Sequence, residues 1–206
     1  MPEKTKFLFD RLSESISEAT DLAAKAEAAD NFTQIQRFFV YEVSYLLIYS
    51  SWENFLEQTF LRFLCGYENS SGVVTLKTGI VKSKTIQNAH LLVLNGMQFK
   101  LWHNPQIVID RSKGYFSSGP HETVLDSVRT DIENFAAIRH FVAHRSEDTK
   151  LKFKAAVVAM HGSSLTGERP GRFLRLATHD PVTSTNMTWL DRICKDILRY
   201  AKQIGD

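Results

Sequence analysis

The sequence predicts an all-α fold. Three observations carry that prediction. Apolar residues recur at three- and four-residue spacing over most of the chain. Helix-start signals stand ahead of those stretches, as at Asp30-Asn31, Pro120 and Ser146. Strand-like runs are few and short. The expectation is five or six helices, with a long loop insertion around residues 95–120.

The first segment, 3–29, repeats Leu8, Leu12, Ile16, Ala19, Ala23 and Ala26, with acids and lysines on the other face. Asp30-Asn31 supplies a break and a cap for the next helix. The second segment, 31–64, is apolar on several faces and is expected to be the central buried helix. One stripe runs Ile35, Phe39, Glu42, Leu46, Tyr49, Glu53, Leu56, Phe60, Phe63, so two carboxylates interrupt it. A buried carboxylate is costly unless paired or hydrogen-bonded. Glu53, in Ser51-Trp52-Glu53-Asn54-Phe55, is either a satisfied structural glutamate or a positioning partner for Arg139 or a histidine.

Residues 66–79 read as a loop centred on Asn69-Ser70-Ser71-Gly72, and 82–94 as a short helix. The stretch 95–120 is irregular, its Gln106–Asp110 run able to extend as a strand. Long loops of this kind commonly serve as lids or binding loops. His103 and His121 are expected there as solvated side chains. Trp102 and Tyr115 are expected to pin the loop to the core, base stacking being the alternative.

After Pro120, Val124, Leu125, Val128, Ile132, Phe135 and Ala136 keep helical spacing and lead straight to Arg139 and His144. Ser146 and Asp148 resemble caps for a helix over 149–160. A turn-rich break covers 162–170, and 172–176 is short enough to be strand, helix or neither. Met187, Leu190, Ile193, Ile197, Leu198 and Ala201 predict a last helix over 184–204.

A chain of 206 residues fits one domain over 1–206, although that length also permits a large insertion. With 43% apolar and 23% charged residues, a sizeable core is affordable. Fourteen Phe, six Tyr and three Trp give that core an aromatic character. No apolar run is long enough to span a bilayer, and Met1-Pro2-Glu3-Lys4 does not start a signal peptide. Cys65 and Cys194 form neither a metal spacing nor a disulfide framework. No membrane association and a reducing cytoplasm are the expectation.

The net charge of +2 is too small to argue for nucleic acid. Its distribution says more. Residues 1–64 carry six Lys/Arg against ten Asp/Glu, whereas residues 151–206 carry nine against five.

The densest chemistry lies in Arg139-His140-Phe141-Val142-Ala143-His144-Arg145. On an ideal helix Arg139, His140, Ala143 and His144 fall within an arc of about 140°. Phe141 and Val142 point to the anchoring side. Metal-free phosphodiester cleavage needs a histidine to move a proton near neutral pH. It also needs a cation against the charge building on phosphate oxygens. Arg139 can fork onto those oxygens. His144 can exchange the proton, and His140 can hold substrate or act as the second proton-transfer group.

Other readings of the same residues stand beside this one. Arg and His favour a helix C-terminus through the macrodipole, with no chemistry implied. His140 and His144 have the spacing of a helical zinc pair, but Phe141 stands where H-E-x-x-H has Glu, and His103, His121, His161 and His179 are scattered. Gly162-Ser163-Ser164-Leu165-Thr166-Gly167 lacks the spacing of a nucleophile elbow. No phosphate-binding or dinucleotide fingerprint occurs.

A helical chain whose penultimate long helix ends in Arg139-His140-x-x-Ala143-His144 resembles the HEPN superfamily. That family's motif is arginine, a polar residue, a few further positions, then histidine. Here the gap gives R-x4-H, with His140 where the family more often has Asn or Asp. Ser51-Trp52-Glu53, Pro170-Gly171-Arg172-Phe173-Leu174 and Trp189-Leu190 are similar to the RiboL-PSP-HEPN branch and to cyanobacterial-type HEPN-like nucleases. The resemblance implies an antiparallel HEPN-like bundle acting on RNA as an endoribonuclease without metal or other cofactor, leaving 2′,3′-cyclic phosphate ends. It implies a homodimer in which two copies of Arg139, His140 and His144 meet across a cleft between four helices. It also implies a toxin–antitoxin or anti-phage setting, with an antitoxin or nucleotidyltransferase as possible partner. Some relatives of this kind are noncatalytic RNA-binding or partner-binding modules.

Overall fold

Apolar residues at helical spacing wind the first third of the chain into two long helices, α1 (Lys6–Ala28) and α2 (Gln34–Leu64). The structure is a computed structural model and describes residues 5–97, 101–165, 167, 169–180 and 183–205. Met1–Lys4 and parts of the 95–120 and 162–170 stretches lie outside them. The chain continues through a hairpin, β1 (Glu68–Asn69) and β2 (Gly72–Val73), then α3 (Ile86–Leu94), α4 (Pro105–Tyr115), α5 (Pro120–Ser127), α6 (Arg129–His144) and α7 (Glu147–His161). It ends with α8 (Pro170–Arg175), the antiparallel pair β3 (Ala177–His179) and β4 (Asn186–Thr188), and α9 (Trp189–Gly205). The protein is thus mostly helical. Among the described residues no helix is long and apolar enough to cross a membrane.

Nine helices are described, more than the five or six expected: two expectations fail, and the stretch left open at 172–176 falls largely in a short helix, α8. The stretch 95–120 is not an open loop, and Gln106–Asp110 is not a strand. Asn104 caps α4 by accepting from the Ile107 N–H, and Pro105 fills the first turn. That start signal outweighs the β-branched Ile107-Val108-Ile109 run. The helix expected to run unbroken from Pro120 to His144 stops at Val128, which has φ −121° and ψ 21°. There the Ser127 hydroxyl donates to the Val124 carbonyl at 2.7 Å.

Within the 1–206 span, packing groups the residues into two compact units, each assembled from separate stretches. The first holds residues up to Leu12, Trp52–Ile132, and those from Leu198 onward. Phe60 is its centre. Rings of Trp102, Tyr115, Phe116 and His121 pack against it at centroid distances of 5.5, 5.8, 5.0 and 5.3 Å. Trp102 and Tyr115 therefore anchor this segment to the core. His121 is not the solvated loop residue expected. It sits fully buried in the first turn of α5. Its Nε2 lies 3.0 Å from the Leu56 carbonyl, which can only accept, so Nε2 carries the proton. Burial pushes its pKa down to about 3.

The second unit holds Ser13–Ser51 and Glu133–Ile197. Its core draws on Ile16 and Ala19 of α1, Tyr45 and Ile48 of α2, Phe135 and Ile138 of α6, and Ile193 of α9. A relay of rings joins its C-terminal helices. Phe141 stacks on Phe153 at 5.1 Å, Phe153 meets Phe173 at 6.3 Å, and Phe173 stacks on Trp189 at 5.2 Å. One part of the α2 reading needs correction. Ile35 and Phe39 were expected in a buried stripe but are 65% and 59% exposed. With half-buried Val43 and exposed Leu47 they form an apolar row at four-residue spacing.

Candidate functional site

The Arg–His motif occupies the last turns of α6. Ile138 and Phe141 face the core of the second unit. Arg139 and His140 are half-buried, and Ala143 and His144 are exposed. The structure thus brings Arg139, His140 and His144 onto one helix end with graded access to solvent. His144 is the last helical residue, so its imidazole stands at the edge of the protein rather than in its core.

Arg139 approaches the buried phenol of Tyr45 closely enough to oppose the rise in that phenol's pKa, which burial drives well above the usual value. Tyr45 donates its hydroxyl to the Phe135 carbonyl at 2.7 Å, one helical turn before Arg139. The tyrosine thereby ties α6 to α2 just ahead of the motif.

The residue after the motif is fixed by a carboxylate. Arg145 Nη2 donates to Glu42 Oε2 at 2.6 Å. Oε1 of the same side chain accepts from Arg169 Nε at 3.2 Å and from the Gly171 N–H at 3.1 Å. Glu42 is only 2% exposed, and these three donors, two of them cationic, offset its desolvation. Gly171 is required here by space. A Cβ on it would stand 2.0 Å from the Phe38 carbonyl oxygen. The next segment starts well: Ser146 and Thr149 form a reciprocal capping box at the head of α7.

Glu42, not Glu53, is therefore the α2 carboxylate that holds the end of the motif. Glu53 lies in the first unit, where its Oε1 is 3.9 Å from His103 Nδ1. The spacing of the α2 stripe flagged both glutamates. Arg145, Arg169 and Gly171 went unrecognised as the partners of Glu42, although Pro170-Gly171 follows Arg169 directly in sequence. Among the described residues no group of three or more His, Cys, Asp or Glu side chains is arranged to hold a metal ion, so the His140–His144 pair gains no third ligand there.

No family model, curated protein or solved structure matches this chain.

Proposed function

We propose that this chain is a HEPN-type, metal-independent endoribonuclease whose site is Arg139, His140 and His144, completed by a second copy of the chain. The observation that carries the reading is the exposed His144 on the same helix end as Arg139, with the following Arg145 held by buried Glu42. The ion pair that anchors the Arg145 side chain restrains the end of that helix, which suits a positioned proton-transfer group.

The step uses only this chain's side chains. A histidine takes the proton of a ribose 2′-hydroxyl, and the 2′-oxygen bonds to phosphorus. The bond from phosphorus to the 5′-oxygen breaks, and a protonated histidine supplies the proton that oxygen needs. The products are a 2′,3′-cyclic phosphate and a free 5′-hydroxyl. Arg139 meets the charge on the non-bridging oxygens. Acid and base must be separate groups in one step, so a second His144, or His140, completes the pair. The exposed row Ile35, Phe39 and Leu47 supports a homodimer, because such a row is costly to leave in water. The basic excess over residues 151–206 suits an RNA substrate.

His144→Ala tests the reading. Cleavage of RNA is expected to fall by about 10²–10⁴-fold while thermal unfolding stays unchanged. Equal rates for the variant and the wild type would sink it. A noncatalytic RNA- or partner-binding module is the second reading, favoured by the half-burial of Arg139 beside Tyr45. In that case His144→Ala protein and wild type bind RNA or partner alike, and neither cuts.

A further inference from the structure

The first unit carries a surface that the cleavage chemistry does not use. Between Glu68 and Glu122 the sequence holds a single acid, Asp110, against five lysines and Arg111. Residues 69–109 contain no Asp or Glu at all. The whole chain has a net charge of only +2, so the residues outside this stretch are acidic on balance. One stretch therefore gathers the positive charge that the overall figure hides.

The same stretch exposes aliphatic side chains. Val81 is 80% exposed, Leu91 60% and Met97 59%, and Leu92, Leu101 and Ile107 are exposed as well. On α3, Leu91 stands opposite Ala89 and Val93, the two residues that helix buries. Hydrogen bonds join the pieces. Lys77 Nζ donates to the Lys113 carbonyl at 3.1 Å, the Tyr115 hydroxyl to the Leu92 carbonyl at 3.0 Å, and Arg111 Nη2 to the Leu101 carbonyl at 3.4 Å. The loop ahead of α3, α3 itself and α4 are thus held together, and Lys77, Lys82, Lys84 and Lys113 are exposed on them.

We propose that this surface docks on an anionic membrane, its lysines against lipid phosphates and its aliphatics in the boundary between headgroups and acyl chains. The expectation of no membrane association rested on the lack of a spanning run, and a surface that lies on a bilayer needs none. Charge complementarity selects the occupant. Exposed aliphatics and unopposed cations are the two contributions that hold a peripheral protein on anionic lipid. The residue types disfavour other occupants. Protein interfaces are rich in Arg and aromatics and poor in Lys. RNA phosphates are best met by the arginine fork, and they would leave the aliphatics in water. Here the one arginine lies over the Trp102 ring at 4.3 Å, and Trp102 and Tyr115 turn inward onto Phe60. The proposal does not rest on the ribonuclease reading.

Vesicle co-sedimentation of the full chain tests it. The probes are vesicles of phosphatidylcholine alone and of phosphatidylcholine mixed with phosphatidylglycerol. Wild type is expected to bind the mixed vesicles at low salt, to leave them as salt rises, and to ignore phosphatidylcholine alone. Leu91→Gln should weaken binding by about 10-fold. Lys84→Gln combined with Lys113→Gln should weaken it by about 25-fold. Leu151→Gln alters an aliphatic that is 65% exposed on α7, outside the stretch, and should bind like wild type. These positions are exposed, and only variants that melt like wild type are compared. Wild type that ignores mixed vesicles overturns the proposal, as does equal binding by wild type and Leu91→Gln. Titration with single-stranded RNA covers the competing occupant. If the double lysine variant loses RNA while wild type binds no vesicles, the surface belongs to RNA and the proposal falls. If wild type binds mixed vesicles as described but never cuts RNA, the membrane assignment stands and the nuclease reading falls.

Discussion

His121 and His144 are the same side chain in opposite settings. His121 opens α5 in the first unit, enclosed by Phe60 and Phe63, its Nε2–H committed to the Leu56 carbonyl. Burial holds its pKa down at about 3, so it stays neutral at any physiological pH. His144 ends α6 in the second unit and faces solvent. One histidine fills space and satisfies a carbonyl. The other is open to solvent, as the proposed chemistry requires. Neither its residue type nor its place in a helix separates the two roles; burial does.

Truncating each side chain should separate them most sharply. His121→Ala removes a ring packed between aromatics and is expected to cost about 3–4 kcal/mol of stability, read as a large fall in denaturation midpoint. His144→Ala should stay within about 0.5 kcal/mol of wild type. Similar losses for both would erase the distinction.

Glu42→Ala comes next. It leaves the Gly171 N–H and two cations without their carboxylate, and about 3 kcal/mol should be lost. Because it frees the end of the motif, RNA cleavage should also drop, unlike in Glu53→Ala. Equal activity in the two variants would remove Glu42 from the account.

A smaller effect is the response to acid. A histidine ordinarily titrates near ~6.5, and His121 does so only at about 3 in the folded protein. The unfolded chain therefore binds a proton that the native state refuses between those values. The stabilisation is complete above about pH 6.5 and is lost as pH falls toward 3, by up to ~1.4 kcal/mol per pH unit. In chemical denaturation across that range, His121→Gln should show a shallower slope than wild type. An identical slope would mean that the buried imidazole is charged after all.

Smallest in stability is Phe39→Glu, on the exposed row of α2. Beyond the stabilisation that dimerisation itself adds, its unfolding free energy should move by less than about 0.5 kcal/mol. Light scattering should nonetheless show the wild type as a dimer and the variant as a monomer. A monomeric wild type would contradict the shared site.

Much of the helical framework was legible in the chain, because α1, α2, α7 and α9 carry long periodic stripes or a clear cap. The helical angles set Phe141 apart from Ala143 and His144, and Phe141 is buried while those two are exposed; Val142, expected on the anchoring side, is half-buried. What could not be read depends on partners distant in sequence. The α2 stripe shows Glu42 and Glu53 on nearly one face, and only the fold brings Arg145 and Arg169 to the former. His121 follows a Gly-Pro turn, which signals a loop, while its burial comes from Phe60 and Phe63 on another helix. The strand expected at Gln106–Asp110 failed because the Asn104-Pro105 start signal outweighs the β-branched residues that suggested it.

The chemistry of the cut ends tests the central claim most directly. Purified protein is incubated with single-stranded RNA in EDTA, and the 3′ ends of the fragments are identified. The account predicts 2′,3′-cyclic phosphate ends from the wild type, and no such fragments above background from Arg139→Ala or His144→Ala. Intact RNA with the wild type, or the same fragments from the His144→Ala protein, would contradict it.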